Sequence, residues 1–132
     1  MRIFVSYRFT GEDSAELDRN IKTICSGLKE AGHEVFCTYW ESKSGFFKEN
    51  NYSNKKLLEY AFRELDRADL VFTFVNSETK SEGMLIEFGY ALVKKKKVVL
   101  FIRKGIETTF LREMADKVIE FEDIKEIEKV GV

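Results

Sequence analysis

Short apolar runs alternate with amphipathic helical patterns from one end of the chain to the other, and this alternation restricts the fold more than any other feature. Ile3-Phe4-Val5, Val35-Phe36-Cys37, Asp69 to Val75, Val98 to Ile102 and Lys117 to Phe121 read as strands. The run 69–75 is apolar on both faces, as a central parallel strand should be. Leu17, Ile21, Ile24, Cys25 and Leu28 recur on one helix face, which Gly32 closes. Ser53 or Asn54 opens a second helix to about Arg67, with Leu58, Ala61, Phe62 and Leu65 inward. Ser81 or Glu82 opens a third, through Met84, Leu85, Phe88 and Leu92 to the lysine run 94–97. A short helix over 109–115 and a polar final helix complete the pattern, while residues 39–53 read as a long connection without a period. These elements predict one α/β domain over residues 1–132: a three-layer sandwich around a five-stranded parallel sheet, flavodoxin-like or Rossmann-like. Ligands in such sheets bind beyond the carboxyl ends of the strands, near the switch in strand order. The segments to watch are therefore 6–13, 38–52, 76–87 and 103–109.

Composition then narrows the chemistry. The 132 residues carry 23 Asp and Glu against 22 Lys and Arg, a balance that argues against a nucleic-acid surface. One histidine, His33, and two cysteines, Cys25 and Cys37, are too few for a Cys/His metal site, so no metal and no cofactor is expected. Chemistry, if present, falls to carboxylates. The first apolar run is too short for a signal peptide and no stretch approaches the roughly 20 apolar residues that span a bilayer, so a cytoplasmic protein with no membrane partner is expected.

Among the carboxylates, Glu87 stands out. It follows the central strand on a helix, three before Tyr90 and four from both Gly83 and Ala91, so small residues leave room for a ligand to reach it. Leu85, Phe88 and Leu92 are expected to hold the adjacent face in the core, which would partly desolvate the carboxyl and tune its pKa. The alternative is a solvated acid that complements the helix dipole. Ser6, Tyr7 and Arg8 leave the first strand at the ligand edge, where Ser6 and Arg8 offer a hydroxyl and a guanidinium to a phosphate or sugar. A pairing of Arg8 with a surface acid is the other reading. Ser81, with Gly83 and Met84 behind it, sits at a helix N-terminus that suits an anion or simply needs a cap. Tyr39, Trp40, Phe46 and Phe47 are available to stack on a base, or to form a satellite core or a dimer contact.

Ser81-x-Gly83-x-x-x-Glu87-x-Gly89-x-Ala91, with Arg67 to Val71 before it and Lys97 to Leu100 after it, resembles the signature of the nucleoside 2-deoxyribosyltransferases and 2'-deoxynucleoside 5'-monophosphate N-glycosidases. Ser6-Tyr7-Arg8 is similar to the hydrolase branch. The resemblance implies that Glu87 is a nucleophile forming a covalent 2-deoxyribosyl-enzyme. It implies substrate contacts at Ser6, Tyr7, Arg8, Ser81, Gly83, Met84 and Thr109, and a small-molecule nucleoside or nucleotide as partner. It further implies a homodimer or higher homo-oligomer, with Thr108 or Thr109 lending a hydroxyl to the neighbouring site. The family's proton donor for the leaving base falls at Ala61, with Glu59, Glu64 and Asp66 close by in sequence. Phe4 to Arg8 with a later helix glutamate also looks like a TIR domain, which would make NAD the substrate. A non-catalytic nucleotide-sensing module is the third reading.

Overall fold

In the computed structural model, which describes residues 1–9, 11–107 and 109–132 (of Thr109 the backbone alone), five strands form one parallel sheet. They are β1 (Arg2–Ser6), β2 (Glu34–Phe36), β3 (Leu70–Val75), β4 (Lys97–Arg103) and β5 (Lys117–Phe121). The order is β2-β1-β3-β4-β5, so the chain reverses direction across the sheet between β1 and β3. Helix α1 (Ser14–Glu30) and a closing 3₁₀ helix (Ile124–Lys129) pack on one face, around Ile3, Val5, Phe72 and Phe101. Helices α4 (Asn54–Arg67), α5 (Glu82–Val93) and α6 (Thr109–Met114) cover the other, around Phe4, Val71, Val98 and Leu100. This is the expected three-layer sandwich.

The local chemistry sets each boundary. Asp13 caps α1 by accepting from the Glu16 amide, and Ser53 caps α4 by accepting from Lys56. Gly32, at φ +94°, supplies the left-handed residue that ends α1. Lys95, also left-handed, ends the turn after α5, so the lysine run divides and Lys97 opens β4. Strand β3 starts at Leu70 because Asp69 is engaged beside it: its carboxylate accepts from the Arg2 amide at 2.8 Å, and its own amide donates to the Arg2 carbonyl.

Three expectations need correction. Residues 39–53 are not a long irregular connection but two short helices, α2 (Tyr39–Ser44) and α3 (Phe46–Glu49), hinged at left-handed Gly45. Their aromatics form a satellite core: Phe46, Phe47 and Tyr52 meet one another and Tyr60 of α4, at ring separations of 5.2–6.3 Å. The inward face of α5 is Met84, Glu87, Phe88 and Ala91; Leu85 is exposed and Leu92 half-buried, because the helix is rotated to bring Glu87 inward. The last helix is 3₁₀ and its Ile127 is buried against Gly27 of α1. No helix among the described residues is long and apolar enough to cross a membrane.

Candidate active site

The cleft lies where the strand order reverses. Its walls come from the end of β1 (Tyr7, Phe9), the start and body of α2 (Thr38, Ser42), the first turns of α4 (Asn54, Leu57) and the first turns of α5 (Ser81, Gly83, Met84, Glu87), enclosing about 450 Å³. Parallel strands all deliver their carboxyl ends to one edge, and the reversal leaves a crevice there that no crossover helix fills.

Glu87 is the chemical centre. It is 8% exposed, and the Ser6 hydroxyl donates to its Oε1 at 2.7 Å. Burial raises its pKa from the usual carboxyl value to about 7, and the Ser6 hydrogen bond pulls partly in the other direction. A carboxyl so placed titrates near neutrality, which suits a group that must be an anion in one step and a leaving group in the next. Gly83, one turn before Glu87, has nothing within 4 Å of where a Cβ would stand, so the approach is open from that side. Ala91 does not widen the cleft; it is fully buried in the core, and Tyr90 stacks on Phe62 at 4.2 Å instead.

Ser81 caps α5, its hydroxyl accepting from the Met84 amide at 3.4 Å, and that places the helix N-terminus at the cleft wall. Burial pushes the Tyr7 phenol well above its ordinary range, with the Cys37 thiol and Glu87 adding to the effect. Tyr7 therefore remains a donor at any working pH, and Thr38 and Ser42 engage it from α2. Thr73, in register beside Ser6 on β3, is fully buried and its hydroxyl has no partner among the described residues.

Of the residues singled out from sequence, Ser6, Tyr7, Ser81, Gly83, Met84 and Glu87 converge here. Arg8 does not join the cleft wall. It is buried and its guanidinium ties down the segment after β3, donating to the Ser77 hydroxyl and, at 2.7 Å, to the Thr79 carbonyl, with Glu12 at 3.9 Å. The side chain of Thr109, and Thr108 altogether, lie outside the described residues. Ala61 is fully buried in the core. The acids near it do not replace it: Glu64 pairs with Arg2 and Arg67, Asp66 accepts from Tyr90 at 2.6 Å, and Glu59 is exposed. Thr38, Ser42, Asn54 and Leu57 were missed. The i, i+4 spacing of Thr38 and Ser42 was the available signal, hidden by reading that stretch as a loop.

No protein-family profile and no curated sequence matches the chain. Solved structures do. The CMP N-glycosidase BcmB of Clostridium botulinum superposes with a TM-score of 0.73 at 19% identity, over 98% of this chain and 95% of that one. The 2-deoxyribosyltransferase of Bacillus psychrosaccharolyticus gives 0.71 at 19% identity, over 99% and 93%. The chain has their fold. A conserved protein of Enterococcus faecalis V583 follows at 0.65 and 12% identity, over 98% of both chains.

Proposed function

We propose that the protein cleaves or transfers at the N-glycosidic bond of a nucleoside or nucleoside 5'-monophosphate, with Glu87 as the nucleophile. The observation that carries this reading is a buried carboxyl with a pKa of about 7, held by Ser6 in a cleft at the strand-order reversal. The fold shared with an N-glycosidase and a deoxyribosyltransferase supports it. As an anion, Glu87 attacks the anomeric carbon; the C–N bond breaks and its electron pair leaves with the base, which takes up a proton. Water, or a second base, then displaces the carboxylate and regenerates Glu87. Ser6 steadies the carboxylate before attack and again as the ester is displaced and the charge returns. The N-terminus of α5, capped by Ser81, faces the cleft and favours an anionic substituent such as a 5'-phosphate. With Ala61 where the resemblance places a proton donor, the departing base draws its proton from solvent or is one that leaves easily. Paired copies of the chain are part of the same reading.

The test incubates the protein with deoxynucleosides, their 5'-monophosphates and NAD, each with and without an acceptor base, and follows products chromatographically. Free base indicates hydrolysis, an exchanged base indicates transfer, and nicotinamide moves the substrate class to NAD. Nucleotide binding without turnover in any arm would reduce the site to a sensor. Full activity in Glu87→Ala would remove the nucleophile from the scheme.

A further inference from the structure

Beneath the cleft lies a hydroxyl that the chemistry at Glu87 has not yet used. Thr73 is fully buried, and its Oγ1 has no hydrogen-bond partner among the described residues. Its Cα pairs in register with that of Ser6 on β1, about 4.8 Å away at the usual spacing of neighbouring strands. Side chains alternate along a strand, and Phe4, Val71 and Val75, each two residues from one member of this pair, pack under α4 and α5. Ser6 and Thr73 therefore share the face that carries Glu87. The rest of that layer is apolar: Leu100 flanks Thr73 on β4, and α5 contributes Met84 and Phe88. Ser6 donates to Glu87 Oε1 at 2.7 Å, and among the described residues no donor reaches the Ser6 oxygen in return. A donor without an acceptor thus stands beside an acceptor without a donor.

We propose that Thr73 is a positioning residue for Glu87: when the carboxyl ionises, a turn about χ1 brings the Thr73 hydroxyl onto the Ser6 oxygen and completes a chain from Thr73 through Ser6 to Glu87. Threonine and serine side by side on neighbouring strands commonly pair in this way. A hydroxyl that accepts a hydrogen bond is polarised and becomes a better donor, so the chain favours the charged carboxyl over the neutral one. Neutral Glu87 asks little of Ser6, and Thr73 then rests unpaired; the anion draws it in. The other titratable groups facing Glu87 are the Tyr7 phenol, just after β1, and the Cys37 thiol, just after β2. Burial raises both, so both stay protonated where Glu87 titrates. Among the described residues no charged side chain of the sheet, α2, α4 or α5 pairs with Glu87, and burial and Ser6 alone set its ionisation. The role rests on the reading of Glu87 as the nucleophile: a carboxyl that cycles between anion and ester gains from a donor that strengthens only with charge.

The ionisation of Glu87 in the ligand-free protein tests this by NMR. With an isotopic label at the glutamate carboxyl carbons, the resonance that Glu87→Gln removes is followed against pH. The wild type should titrate near pH 7. Thr73→Val, of nearly the same volume but without the hydroxyl, should titrate about 0.2–0.7 pH unit higher, the span of a cross-strand hydroxyl pair. Thr73→Ser keeps the hydroxyl and should titrate with the wild type. In a Ser6→Ala background, Thr73→Val should add nothing, because the link between them is gone. The stability that valine gains by removing an unpaired hydroxyl should be smaller at pH 8 than at pH 4.5, since a higher folded value loses more stability once pH has passed it. A Glu87 midpoint that Thr73→Val leaves unmoved overturns the proposal. So does an equal rise in Thr73→Ser, which marks a packing effect, or an undiminished rise without Ser6, which marks direct contact with Glu87. No substrate enters the titration, so its failure is distinct from absence of turnover.

Discussion

Replacing Glu87 with Gln should separate what the site costs the fold from what it contributes to chemistry. In the unfolded chain this carboxyl ionises near 4.5; in the folded protein burial moves it to about 7. Below the lower value both states are neutral, and above the higher both are charged. Between them the folded state holds the extra proton, so stability falls as pH rises across that interval. At about 1.4 kcal/mol per pKa unit, the loss reaches about 3 kcal/mol by pH 8. Gln has nearly the same shape, still accepts from Ser6 and cannot ionise, so the variant should lack this decline. Urea unfolding of both proteins at several pH values measures it. The difference in unfolding free energy, Glu87→Gln minus wild type, should grow by about 3 kcal/mol from pH 4.5 to pH 8. Any solvation cost of the amide is a constant offset and does not enter that growth. Turnover should disappear at every pH. A difference that stays flat between pH 4.5 and 8 would refute the reasoning, because Glu87 would then titrate as an ordinary exposed carboxyl.

Four further outcomes follow from the same geometry. The acid limb of kcat/KM should track the ionisation of Glu87 near pH 7, and Ser6→Ala should move it upward, since the Ser6 hydrogen bond favours the charged form; the pH–rate profile reads both. A nucleoside whose base is a cationic 7-methylpurine, which departs without a proton, should be cleaved about 10²–10⁴ times faster than its neutral counterpart, the span a general acid would otherwise supply; parallel initial rates check this. Thr73→Val should stabilise the protein by about 1 kcal/mol in thermal or urea unfolding, because it removes a buried hydroxyl with no partner among the described residues. Gly27→Val should cost about 1–3 kcal/mol, as a Cβ there already stands 3.0 Å from Ile127, and trimming Ile127 to Ala in the same chain should recover part of the loss.

The sheet was legible because each strand is a compact apolar run, and the run 69–75 could only be central. The burial of Glu87 was legible because the acid lies beside the apolar stripe of its helix, with small residues on its own face. The partners of Arg8 were not legible for a physical reason: sequence shows that a guanidinium leaves β1 at the ligand edge, but not that the Ser77–Thr79 segment folds back to bind it. The rotation of α5 was misread because Leu85, Ile86, Phe88 and Leu92 are all apolar, and periodicity cannot choose a face on a helix that is apolar nearly all round. Helices α2 and α3 escaped because each is under two turns long. They are set by the Gly45 hinge and by rings that meet only in three dimensions.

The short helix α2 also furnishes an optical handle. Trp40, the chain's one tryptophan, stands edge-on to Tyr39 at 5.1 Å and leans on the core, between Thr38 and Ser42, which wall the cleft. Its fluorescence arises from a single position, two residues from each of these cleft-wall side chains. Any displacement of α2 on binding is written into one emission band with no second indole to average against. Equilibrium titration and stopped-flow mixing can therefore follow the native chain unlabelled, and the colour of its emission tells whether that edge of the core stays dry as the cleft fills.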